Sequence, residues 1–318
     1  MNSGSEAVLR QPIVQPVEFQ VDLNQVIARE KKKKLKATGV ALLLLVPSLF
    51  FLAVFTIYPV ISSFINSLYK DNLATITPVW NGFGNYVDLI SDTTFLECLK
   101  NNVIVAVITV PVCILMGVGM AVFSNHRGKI GKSFTRMGFI YPTFIPLVAA
   151  ANIWVFIYTP IYGLLGHINP DWRFLADAKT ALGAVIVMLI WKQAGYLMLF
   201  YISGLNGISN EVSEAAEIDG ANGVQKFWMI TWPLLEPTTM YVFILALTSA
   251  FKTVDHLYIM TKGGPGNATN LLLFYIYQTG FDYWNAGKAS AITIILVAIL
   301  LIITAVKFFH DDRHAYYN

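Results

Sequence analysis

The sequence predicts an all-α polytopic membrane protein with six transmembrane helices, and three observations carry that reading. Of its 318 residues, 56% are hydrophobic and only 13% charged, against about 25% charged in soluble domains. The mean hydropathy is +0.58. Six apolar stretches reach the ~20 residues that a bilayer core asks of a helix. So little charge cannot cover a water-facing surface of this size. That excludes an ordinary soluble enzyme and disorder over most of the chain. A formal net charge of +3 is too small to point to nucleic acid. Cys98 and Cys113 offer neither a disulfide framework nor metal-ligand spacing.

The spans follow in order. Lys36 and Lys70 bracket an uncharged run holding the first, about 38–65. The second covers about 101–124. The third covers about 137–158, with kinks expected at Pro142 and Pro146. The fourth, about 181–205, contains Lys192. The fifth, about 237–258, contains Lys252, Asp255 and His256, and the sixth covers about 289–307. The apolar run 271–281 is too short to cross and reads as an interfacial or re-entrant piece. A short helix is expected near 82–90.

An N-terminus in the cytoplasm puts fourteen Lys/Arg on the inner side and six on the outer. That distribution agrees with the positive-inside rule and places both termini inside. The densest clusters, 29–36 and 126–136, both fall inside. Residues 1–36 lack the features of a cleavable signal: the apolar run begins only after them and is too long for an h-region, and no A-x-A site follows it. They read as a disordered basic cytoplasmic tail whose Lys run rests on anionic lipid. Residues 37–309 form the transmembrane domain, and 310–318 a second cytoplasmic tail.

Two other classes fit the sequence less well. A self-contained secondary transporter or channel would show internal repeats with paired broken helices, and none is evident. A membrane enzyme would need clustered His, Asp or Cys. The five histidines are scattered, and there is no H-E-x-x-H.

The loop 206–236 is inner by topology yet acidic. Its stretch 210–218 has helix character, with Ser209 or Asn210 as N-cap and Glu211 in the first turn. Gly220 and Gly223 break it, and a second short helix, 224–230, ends before Pro233. Ala215, Ala216 and Ala221 keep its surface thin enough for another protein to approach. A plain amphipathic connector is the alternative.

Glu214-Ala215-Ala216, three residues, Gly220, nine residues, then Ile230-Thr231-Trp232-Pro233 resembles the EAA motif of ABC-importer permeases. Every spacing fits, and Trp232 replaces the usual Leu. Asp219-Gly220-Ala221, Gly263-Gly264-Pro265 and the segment Trp191-Lys192-Gln193 to Tyr196 are similar to the MalF-like carbohydrate subgroup. The resemblance covers about 38–309 and implies the type I ABC importer permease fold in a bacterial inner membrane. It implies a second MalF/MalG-type permease, two ATPase subunits and an extracytoplasmic solute-binding protein as partners. Glu214, Ala215, Ala216, Asp219 and Gly220 would meet the ATPase. No G-x-x-x-x-G-K-[ST] occurs in this chain. No cofactor is therefore expected here, ATP and Mg belonging to the partner ATPase.

Positions resembling Lys192, Gln193, Tyr196 and Lys252 line the sugar site of MalF-like permeases. An amide and a phenol suit a polyhydroxyl ligand. Two ammoniums converging on one cavity would repel unless something anionic lies between them. One resolution is an acidic sugar-like solute. The other is internal pairing of Lys252 with Asp255, three residues on along a helix, or with His256.

Overall fold

The computed structural model describes residues 23–72, 77–125, 129–252 and 254–311. They fall into two units, divided between Val60 and Ile61.

The first unit is α1 (Leu23–Leu52), followed by one π turn, Ala53–Ile57. Most of the tail expected to be disordered, residues 1–22, lies outside the described residues. Residues 23–36 are helical rather than disordered. The segment is rich in Lys, Glu and Arg, which are good helix formers, and holds no Gly or Pro. Helix α2 (Tyr58–Ser67) crosses the division between the units.

The second unit begins with a small antiparallel ribbon, β1 (Tyr69–Lys70) with β2 (Val79–Trp80), and α3 (Gly84–Ile90). Asn85 of α3 donates to the carbonyls of Ser67 and Tyr69, both at 2.8 Å. Helix α4 (Thr93–Asn125) is the second span. The third, α5 (Lys129–Phe144) and α6 (Leu147–Tyr158), is broken rather than kinked, its halves meeting at 97°. Pro142 is tolerated inside α5, whereas Pro146 is the N-cap of α6. A residue before proline is driven out of the α region, so Ile145 is where the helix fails.

Helix α7 (Ala181–Gly207) is the fourth span and packs along α4 to form the core. The Tyr158 hydroxyl donates to the Ala184 carbonyl at 3.1 Å, joining α6 to α7. α7 runs unbroken through Gly195, where a Cβ would collide with the Phe139 carbonyl oxygen of α5. The glycine is what lets the two helices cross. Gly195→Ala should therefore lower the melting temperature of the purified assembly. The overpacking is worth about 1–3 kcal/mol, outweighing the ~0.5–1 kcal/mol that alanine gains in a helix. Gly183→Ala, where a Cβ meets nothing within 4 Å, should leave melting unchanged or raise it. Equal melting curves for the two variants would contradict this crossing.

The loop between the fourth and fifth spans holds α8 (Asn210–Ile218), α9 (Gly223–Lys226), a π turn and α10 (Trp232–Leu234). Helical structure thus continues past Pro233 rather than stopping before it, because the first turn of α10 needs no N–H at that position. The fifth span, Glu236–Met260, holds α11 (Glu236–Phe251), closed by Lys252, and α12 (Asp255–Met260).

The run 271–281 forms α13 (Leu272–Tyr277) and a π turn, with Leu272, Phe274 and Tyr275 buried. The last span lies in α14 (Ala286–Asp311). Asn101 of α4 donates to the carbonyls of Asn267 and Asn270 at 2.9 and 3.0 Å. The Leu272 amide donates to Asn102 at 2.7 Å. These asparagines satisfy irregular backbone that apolar surroundings would otherwise leave unpaired. Asp92 accepts from Lys288 and from the Tyr275 hydroxyl, both at 2.6 Å, tying α4, α13 and α14 together. Among the described residues, five helices are long and apolar enough to cross a bilayer, and the bent pair makes a sixth.

Candidate functional site: a mid-helix cavity and an inner hairpin

Lys192, Gln193 and Tyr196 occupy adjacent positions near the middle of α7. With Lys252 they line an open cavity of about 510 Å³. The bend between α5 and α6 forms a second wall, residues 143–147. The cavity therefore has the size of a small-ligand pocket, with two ammoniums, an amide and a phenol along an apolar surface.

The two lysines are not equivalent. The Lys192 ammonium donates to the carbonyls of Pro142 and Thr143 at 2.8 and 2.9 Å, and to that of Ile145. The Thr143 hydroxyl in turn donates to the Lys192 carbonyl at 3.4 Å. Lys252 is exposed, and its backbone N–H closes α11 on Thr248 and Ser249. Among the described residues its ammonium meets no hydrogen-bond acceptor and no carboxylate.

Asp255 is exposed, begins α12 and is not among the cavity's lining residues. The pairing expected from three-residue spacing presumes one continuous helix. α11 ends at Phe251 and α12 begins at Asp255, and Lys252 and Asp255 form no ion pair among the described residues. His256 is fully buried, and neither ring nitrogen has a hydrogen-bond partner among the described residues.

Three hydroxyl-bearing wall residues escaped the sequence reading: Thr109, Thr143 and Ser249. The Thr109 hydroxyl is buried and unbonded among the described residues. A lone Thr in an apolar span was the available signal, but such residues usually bond back to their own helix.

The α8–α9 hairpin is built by local rules. α8 ends in a Schellman motif: Gly220 N–H bonds the Glu217 carbonyl at 3.1 Å, and Ala221 N–H that of Ala216 at 3.0 Å. Gly220 has φ +79, a left-handed conformation that glycine adopts without strain. Asn222 and Gln225 form a capping box that starts α9. Lys226 bridges to Glu217 at 2.8 Å, and that hydrogen bond holds the Glu217 carboxyl below its usual range. Ala216 is buried, while Glu214, Ala215 and Asp219 are exposed. Ile218, Val224, Trp228 and Met229 add an exposed apolar rim.

Residues 113–314 match the family described as "Binding-protein-dependent transport system inner membrane component". The sn-glycerol-3-phosphate transport system permease protein UgpA of Agrobacterium fabrum is 31% identical over 284 residues, 87% of this chain and 96% of the relative. The sulfoquinovosyl glycerol transport system permease protein SmoG of the same organism is 30% identical over 280 residues, 84% and 88% of the two chains. The trehalose/maltose transport system permease protein MalF of Thermococcus litoralis is 31% identical over 285 residues, 86% and 94%. Among solved structures, a bacterial ABC transporter that imports the acidic polysaccharide alginate superposes with a TM-score of 0.77. It is 22% identical and covers 90% of this chain and 100% of that one.

Proposed function

The chain belongs to the family of binding-protein-dependent transport system inner membrane components, and from that premise we propose that it carries a small, anionic, sugar-like solute through the cavity at Lys252, Gln193 and Tyr196. The family makes it a multi-pass inner-membrane permease subunit of an ABC importer. The observation that carries the solute reading is the cavity itself. An ammonium without a carboxylate partner among the described residues faces the same space as an amide and a phenol. A hydroxylated body with one acidic group matches that set, the acid at Lys252 and the hydroxyls at Gln193 and Tyr196. The names of similar proteins support the acidic group: a phosphate ester, a sulfosugar glycoside and an acidic polysaccharide. The trehalose/maltose relative supports the sugar-like body.

In this reading both termini are cytoplasmic and the α8–α9 hairpin faces the cytoplasm. Glu214, Ala215, Ala216, Asp219 and Gly220 meet one of two ATPase subunits, which hold ATP and Mg. A second MalF/MalG-type permease completes the path, an extracytoplasmic binding protein delivers the solute, and the Lys run of α1 lies on anionic lipid. Reconstitution tests the arrangement. Uptake into liposomes should require the second permease, both ATPases, ATP and the loaded binding protein. Uptake by the isolated chain would instead make it a self-contained carrier. Cysteine labelling that placed residue 132 outside would reverse the orientation.

A further inference from the structure

The cavity wall holds two cations, and the structure treats them differently. In an α-helix the carbonyl of residue 142 would accept from the amide of residue 146. Residue 146 is proline and has no N–H, so the Pro142 carbonyl is orphaned within its own helix. The 97° bend carries the chain away from the Thr143 and Ile145 carbonyls as well. Three acceptors are thus left at the C-terminal end of α5, where the helix dipole is negative.

Lys192, reaching across from α7, donates to all three. An ammonium has three N–H donors and no acceptor. With three carbonyls bound, none remains for a solute oxygen. The hydroxyl of Thr143 returns a bond to the Lys192 backbone, so the clasp is reciprocal.

We infer that Lys192 is a positioning residue that caps the broken third span and shapes the cavity wall, and that Lys252 alone reads the charge of the solute. This rests on the cavity being the solute path. It goes beyond that reading in dividing two lysines that the resemblance to MalF-like permeases places at one site.

The experiment uses the assembled transporter in lipid nanodiscs and proteoliposomes, with sn-glycerol 3-phosphate as the probe. Lys192→Met should speed amide exchange across residues 143–150 about tenfold or more, and Lys252→Met should leave it unchanged. A small water-soluble acylating reagent should modify Lys252 and spare Lys192. In uptake, Lys192→Met should lower the maximal rate with little change in KM, and Lys192→Arg should restore part of it. Lys252→Met should instead raise KM about tenfold or more.

Unchanged exchange in Lys192→Met, or equal labelling of both lysines, would overturn the assignment. So would a rise in KM in Lys192→Met as large as that in Lys252→Met. The exchange and labelling measurements decide the role of Lys192 even if the probe is not a substrate. If Lys252→Met and Gln193→Ala leave uptake of every solute unchanged while exchange still rises in Lys192→Met, the cavity reading fails and the cap stands.

Discussion

A Glu214→Lys, Gly220→Pro double variant should lose solute uptake by about tenfold or more while its complex still hydrolyses ATP and its binding protein still holds solute. The reason lies in how little of the α8–α9 hairpin is held by packing. The turn depends on Gly220 at φ +79 and on its N–H to the Glu217 carbonyl. Proline fixes φ near −65° and has no N–H, so both supports vanish. A left-handed conformation in any other residue costs about 1–2 kcal/mol. The Glu217–Lys226 bridge is solvent-exposed and cannot hold the hairpin by itself. Glu214 projects outward beside buried Ala216, so reversing its charge alters the exposed face and spares the interior. ATPase rates measured with and without loaded binding protein check the result. Wild-type stimulation and uptake in the double variant would remove this hairpin from the energy-coupling path. Loss of the ATPase subunits on purification would point to a docking role and fit the same assignment.

The hairpin was the most legible part of the chain because its signals are local. The turn at Gly220 and the second helix near 224 follow from a glycine and a capping box within a few residues of each other, while Ser209 heads the helix 210–218 without a side-chain cap hydrogen bond. The grouping of Lys192, Gln193 and Tyr196 was legible for a similar reason, since one helix carries all three. The partners of Lys192 were not. They come from 47 to 50 residues earlier in the chain and exist only because Pro146 leaves carbonyls unpaired. The end of α11 at Phe251 was equally hidden, because S-A-F-K-T-V-D-H contains neither Gly nor Pro. The role of Gly195 was hidden in the same way: a helix-weakening residue by propensity, it is there for the close passage of Phe139. Helix interiors were thus readable where the cause was neighbouring sequence, and unreadable where it was tertiary contact.

The end of α11 at Phe251 decides the outcome expected at Lys252. On an unbroken helix, Lys252 and Asp255 would share a face, and removing either charge would strand the other. With α11 ending at Phe251 and α12 beginning at Asp255, the two substitutions should separate. Lys252→Met removes the cavity's one cation without a bound acceptor among the described residues. A charge-assisted hydrogen bond is worth roughly 1.5–3 kcal/mol, and 1.4 kcal/mol is a factor of ten. Uptake of an acidic solute at concentrations below KM should therefore fall about tenfold to a hundredfold. A neutral analogue of the same solute should be affected far less, so the variant also loses its preference for charge. Asp255→Asn, at an exposed position outside the cavity lining, should change uptake less than about threefold, within the ~0.5 kcal/mol typical of surface substitutions. Initial uptake rates for the charged and neutral solutes, measured in proteoliposomes for both variants, settle the comparison. If Asp255→Asn is the more damaging, or if the transported solute is neutral, Lys252 belongs to a structural ion pair and the anionic reading of the cavity fails.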